Sequence, residues 1–237
     1  MGTNSDSSFR ARLARAEDLV TYISGFQNYS PPRPEENVEG MKAMIRTLFD
    51  VNALVTARQK DYSTAVDARF NAFWQEENSV QKLIVQIRAA VEAQFGKKST
   101  EASVVNRIIK RMREIKITKT STNPETPAQK VAASRSDRKF GTMTHYFNDI
   151  VTTIENIADY DSTNERVKKQ ALKDTAVKLS YFNSEVARKD QEWNAAGDQR
   201  LLHYAELKVR ADRIKAYVKG FYGMKSQEYE LIKGMKF

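Results

Sequence analysis

The chain has 237 residues, a net charge of +9, 41% hydrophobic and 29% charged residues, nine Gly, five Pro and no Cys. Such a composition supports a core with solvated faces and excludes disulfides and thiolate metal sites. No run approaches the ~18 apolar residues of a membrane span, and Met1–Ser8 lacks the apolar stretch of a signal peptide, so a cytoplasmic location is expected.

Residues 1–8 are read as a disordered tail. A first helix is expected over roughly 9–28, where Leu13, Ala16, Leu19, Val20, Ile23 and Phe26 recur at spacings of three and four. Tyr29-Ser30-Pro31-Pro32-Arg33-Pro34 ends it, and Pro34, Glu35 and Glu36 suit the positive end of the next helix. From there to Gly96 nothing reads as a stop, which predicts one helix of roughly 90 Å. Its seam runs Met41, Ile45, Leu48, Asn52, Val55, Gln59 and Tyr62 in alternating steps of four and three, the heptad spacing of a coiled coil. Phe70 and Trp74 add a second apolar flank and are expected to carry self-association. Phe95-Gly96-Lys97-Lys98-Ser99 closes the helix and caps a third, which holds Val104, Val105, Ile108 and Ile109. Residues 9–113 thus form one three-helix unit, and 114–139, rich in Lys, Thr, Ser and Pro, read as a linker.

Residues 140–237 then repeat the first unit. At an offset of 131, Phe9 meets Phe140, Asp18 Asp149, Tyr29 Tyr160, Asn52 Asn183 and Arg69 Arg200. Past about residue 80 the offset falls to 127, and Ile87, Gly96 and Ser99 meet Ile214, Gly223 and Ser226. In the copy, Ser162-Thr163-Asn164-Glu165 starts the long helix, and Gly197 is the expected kink. Two copies of one unit predict an all-α fold: an elongated pseudo-two-fold bundle, or antiparallel coiled coil, of two tandem three-helix units sharing one core. Each unit contributes one very long central helix.

Chemistry-bearing patterns are few. No phosphate loop, nucleophile elbow or metal-spaced cluster occurs, so no catalytic residue, metal or cofactor is expected. His145 and His203 stand at non-equivalent positions outside any Glu-x-x-His arrangement. Asn52 and Asn183 are read as register-setting polar residues in the seam. Between Arg107 and Lys139, ten basic residues face three acids, a surplus of seven out of the total of nine. Lys110, Arg111, Arg113, Lys116, Lys119, Arg135, Arg138 and Lys139 are therefore the candidate polyanion contacts, with a solvated linker as the alternative.

The closing Tyr217-Val218-Lys219-Gly220-Phe221-Tyr222-Gly223, followed by Leu231-Ile232-Lys233-Gly234-Met235-Lys236-Phe237, resembles uncharacterised, internally duplicated helical proteins of Bacteroidota. The likeness implies a helical fold and no catalytic role. Together these features predict a non-enzymatic structural protein that associates with itself, into a filament or tube. The alternative is a nucleic-acid or polyanion-binding accessory protein acting through residues 107–139.

Overall fold

The computed structural model describes residues 4–117 and 127–237, with side chains described over 9–117 and 136–237. Among the described residues the only regular secondary structure is helical, with no strand. They form α1 (Asn4–Gly25), α2 (Val38–Trp74), α3 (Val80–Phe95), α4 (Thr100–Arg113), α5 (Pro127–Glu155), α6 (Lys169–Phe221) and α7 (Gln227–Lys233). Short 3-10 turns, Pro34–Glu36 and Glu165–Val167, precede α2 and α6. Among these residues no helix is long and apolar enough to cross a membrane.

The chain divides into two compact units, residues 1–58 with 192–237, and residues 59–191. Unit 1 holds α1, the first part of α2, the latter part of α6, and α7. Its core gathers Leu13, Ala16, Leu19 and Ile23 of α1, Met41, Met44 and Leu48 of α2, Tyr204, Leu207, Ala211 and Ile214 of α6, and Ile232 of α7. These are the three-four spaced positions of the sequence, buried because each helix presents one apolar stripe. Within the unit α2 and α6 run antiparallel, with Asn52 bonded to Tyr204 and Arg58 to Glu192. Asn28 takes φ 60° at the bend after α1, a conformation Asn tolerates better than most residues. Gly40 is fixed by crowding, since a Cβ there would lie 2.3 Å from the Pro34 carbonyl oxygen.

Unit 2 holds the remainder of α2, α3, α4, α5 and the start of α6. Phe73, Val80, Leu83, Ile84, Ile87 and Val91 pack with Val105, Ile109 and Met112 of α4, Phe140, Phe147 and Ile150 of α5, and Leu172 and Leu179 of α6. Here too α2 and α6 run antiparallel, with Asp61 paired to Lys189 at 3.6 Å and Glu76, just past α2, paired to Lys178 at 2.8 Å.

Equivalent residues make equivalent local contacts in the two units. Phe9 lies on Tyr204 with ring centroids 4.7 Å apart, and Phe140 on Phe73 at 5.0 Å. The Tyr29 hydroxyl donates to the Glu36 carbonyl at 2.7 Å, and Tyr160 to Val167 at 2.8 Å. Gly96 and Gly223 take φ 90° and 102°, and Ser99 and Ser226 then accept bonds from the amides of Ala102 and Tyr229. Each cap thus satisfies an otherwise orphaned donor at a helix start.

Four expectations are corrected. First, the helix expected to run unbroken from 36 to Gly96 stops at Trp74 and restarts at Val80. The four residues by which the first copy exceeds the second fall between Phe73/Tyr204 and Val80/Leu207, where the break occurs. Four residues turn a helix by about 400°, about 40° past a full turn, so the insertion alone would leave Val80, Leu83 and Ile87 near the same face and does not by itself dictate the break. Ser79 stands at the N-cap position of the restart, its carbonyl accepting from the amides of Lys82 and Leu83, and Glu77 pairs with Arg166. Second, α6 has no insertion and runs unbroken through the expected kink at Gly197. Third, the linker 114–139 is helical from Pro127, a residue suited to a first helical turn. Fourth, α1 begins at Asn4, so most of the expected tail 1–8 is helix.

Candidate functional site

The seam asparagines sit where the heptad places them, and each is hydrogen-bonded. Asn52 Nδ2 donates to the Tyr204 hydroxyl at 2.9 Å, and Asn183 Nδ2 to Thr144 Oγ1 at 2.8 Å. The donors are equivalent by sequence but the acceptors are not. The counterpart of Tyr204 is Phe73, which has no hydroxyl, and the counterpart of Thr144 is Leu13, which has none either. Each unit therefore supplies one hydroxyl from a different helix. Thr144 also donates to the Phe140 carbonyl at 3.0 Å. Burial raises the Tyr204 hydroxyl above its usual range, with the Asn52 bond and the Arg12 and Arg200 charges opposing. Sequence periodicity located the Asn residues. The acceptors were missed because each lies on another helix, with no short-range signal.

Arg69 is the most buried charge of unit 2. Its side chain is 4% exposed, its Nη2 lies 2.6 Å from Asp137 Oδ1, and its guanidinium stands 4.1 Å over the Phe140 ring. Arg200 stands likewise over Phe9 at 4.3 Å in unit 1. A fixed aromatic face and one carboxylate replace the water a guanidinium loses on burial. Asp137 fell in the expected linker and was not singled out. The signal existed, because Asp6-Ser7-Ser8-Phe9 and Asp137-Arg138-Lys139-Phe140 keep the same spacing. Beside this pair, burial first and then the carboxylates of Asp137 and Asp190 push the Tyr62 hydroxyl up to about 12.

Phe70 and Trp74, expected as exposed flanks, stack on each other at 5.1 Å, and Trp74 meets Phe140 edge-on at 5.3 Å. Both pack against the core of unit 2, with Phe140 of α5 lying against Trp74. The large apolar side chains that remain exposed lie elsewhere. In unit 1 they include Phe49, Leu201, Leu202, Val209 and Phe221, and in unit 2 Val177 and Tyr181.

A groove in unit 2 is lined by Asp61, Thr64, Ala65, Ala68, Tyr181, Phe182, Glu185 and Lys189. Its charges are occupied locally: Lys189 pairs with Asp61, and Arg188 holds Glu185 at 2.6 Å, keeping that carboxyl below its usual range. Thr64 donates to the Lys60 carbonyl at 3.0 Å, so the groove does not place a base against a nucleophile. Among the described residues no group of His, Asp or Glu is arranged to hold a metal. His145 is an exposed side chain 3.8 Å from Asp149 one helical turn away.

The basic candidates fall on two helices of unit 2. Lys110, Arg111 and Arg113 occupy the last turn of α4 and are exposed, as is Lys116 just beyond it. Arg138 and Lys139 are exposed on α5, and Lys139 Nζ donates to the Lys116 carbonyl at 2.7 Å. That bond brings the two sets together. Arg135 lies in α5 with its side chain outside the described set, and Lys119 lies outside the described residues. Comparison with protein families, with curated proteins and with solved structures finds no match to this chain.

Proposed function

We propose that this is a non-enzymatic structural protein whose two copies form an elongated pseudo-two-fold bundle, and that it self-associates into a filament or tube. The carrying observation is the exposed apolar stripe of α6 in unit 1. Leu202 is 70% exposed and Val209 47% exposed, Ala205 is exposed between them, and Ala195 is exposed one heptad before Leu202, with Asp198 at the intervening position. Single exposed apolar residues are ordinary, whereas a heptad-spaced stripe on a helix already buried along another face is a seam for a further helix. The contribution of both copies to each unit supports the pseudo-symmetric reading, since antiparallel helices related in this way bring the start of one copy to the end of the other.

Light scattering over a concentration series tests this reading, with electron microscopy for the geometry of any assembly. Leu202→Glu with Val209→Glu should reduce the assembled fraction at least tenfold while leaving the far-ultraviolet circular dichroism unchanged. Phe70→Glu with Trp74→Glu should instead unfold unit 2. A wild-type protein that stays strictly monomeric at high micromolar concentration, at low and physiological salt, overturns the proposal.

A further inference from the structure

We propose that the exposed cationic face of unit 2, at the end of α4 and beside it on α5, binds duplex nucleic acid through its phosphates. α4 buries Ala102, Val105, Ile109 and Met112, which turns Arg107, Lys110, Arg111 and Arg113 outward, and Lys116 continues the exposed set. From α5, Arg138 and Lys139 join it, held close by the bond from Lys139 to the Lys116 carbonyl.

What distinguishes this face is how its charges are left. On other helices several cations find carboxylates three or four residues away, as in Lys42–Glu39, Arg88–Glu92, Lys208–Asp212 and Arg210–Glu206. On α4 no such ion pair forms among the described residues, although Glu114 stands four residues from Lys110. The nearby acids are engaged elsewhere: Asp137 is taken by the buried Arg69, and Glu92 is held by Arg88 and by Asn106 at 3.0 Å. Two counter-charges are thus drawn away, and the exposed Glu114 alone stands against the exposed Arg107, Lys110, Arg111, Arg113 and Lys116. A helix end gains some stability from terminal cations, but that gain is confined to the last turn and does not account for Arg107, Lys116 or the α5 pair.

The class of polyanion follows from what accompanies the charges. No aromatic residue occurs between Arg107 and Lys139, so there is no platform for stacking single-stranded bases. No large apolar side chain is exposed among the described residues of this stretch, so there is no wedge to enter a bilayer. Arg107 and Arg111 stand about 6 Å apart along the helix axis, close to every second phosphate of one duplex strand at about 3.4 Å axial spacing. The face contacts phosphates, and reads no sequence.

Fluorescence anisotropy of the full chain with a labelled random-sequence DNA duplex of 20 base pairs tests this between 50 and 200 mM KCl. Four phosphate contacts give a slope of log K against log salt near −3.6, or on the order of a 100-fold loss across that range. Changing Arg107, Lys110, Arg111 and Arg113 to Gln should remove most of that slope. Changing Lys97, Lys98, Lys219 and Lys225 to Gln alters the net charge equally and should leave affinity within about threefold. Single Lys110→Gln and Arg111→Gln variants, which stay closest to the native fold, should each lower the slope by about 0.9. No duplex binding at 50 mM KCl, equal losses in the two fourfold variants, or binding to phosphatidylserine vesicles without duplex binding overturns the proposal.

Discussion

The two seam asparagines allow one unit to be used as the template for repairing the other. In unit 1 the trio is Leu13, Asn52 and Tyr204, and in unit 2 the equivalent positions hold Thr144, Asn183 and Phe73. Tyr204→Phe removes the hydroxyl that Asn52 Nδ2 reaches at 2.9 Å. Because Asn52 Oδ1 is already buried without a partner, the whole amide is then stranded. The loss of one buried donor's partner costs about 1–3 kcal/mol, while the ring keeps its place on Phe9 and adds no cavity. A cost of ~2 kcal/mol corresponds to a fall in Tm of about 4–8 °C in a chain of this size. Leu13→Thr alone should cost about 1–2 kcal/mol in lost apolar burial. Made in the Tyr204→Phe background, it installs the acceptor found in unit 2, so the double variant should be more stable than the sum of the singles by about 1 kcal/mol or more. Scanning calorimetry with near-ultraviolet circular dichroism measures all three variants. A neutral Tyr204→Phe, or additivity within about 0.3 kcal/mol, would refute the idea that these hydroxyls are interchangeable partners.

Asp137→Asn should destabilise unit 2 by about 1–3 kcal/mol in urea unfolding, less than the ~3–5 kcal/mol for breaking a fully buried pair, because the Asp137 side chain is 45% exposed and water reaches it. Adding Arg69→Met should recover most of that loss, and a double variant as unstable as the single would show that the ion pair is not what holds the arginine. The Tyr62 hydroxyl is raised to about 12 in the fold by burial and then by Asp137 and Asp190, above an unfolded value near 10. Its stabilising contribution is therefore complete below pH 10 and lost as the pH rises through 12. Tyr62→Phe should flatten the decline of stability over that window, and an unchanged decline counts against the assignment.

Much of the local structure was legible because it is encoded by neighbours. The Gly-Lys-Lys-Ser and Gly-Met-Lys-Ser turns announce a left-handed glycine and a serine cap within five residues, and both occur as read. The core positions of α1 follow the same way from spacing, whereas in α4 Val105 and Ile109 are buried as read, Val104 and Ile108 are only half-buried, and Ala102 and Met112 complete the core. The break after Trp74 was also written, as Asn78-Ser79 before Val80, but a continuous heptad on either side outweighed it. The start of α5 was obscured by composition. Lys, Ser, Thr and Pro dominate 114–139, yet after Pro127 no Gly or Pro occurs before Gly141, and that absence is the better guide. Placing Phe70 and Trp74 on an open flank missed a contact between distant segments, because Phe140 of α5 lies against Trp74 and no short-range pattern announces it.

What spacing does not convey is which copy completes which contact. Asn52 belongs to the first copy and its acceptor Tyr204 to the second, while Arg69 of the first copy pairs with Asp137 ahead of the second. Each unit's core is likewise built from both copies. A substitution in one copy therefore has to be answered in the other, not at the equivalent position of its own. The hydroxyls illustrate this: loss at position 73 is matched by gain at 144, whereas loss at 13 is matched by gain at 204. Equivalent positions thus differ between the copies, while in each unit the asparagine Nδ2 keeps one hydroxyl acceptor. The same logic lets one unit carry the unpaired cations of α4, since the corresponding helix α7 places Glu228 and Glu230 in its first turn and pairs Lys233 with Glu230. The two cores are built from sequence-equivalent positions, and the exposed cations of α4 lie outside both.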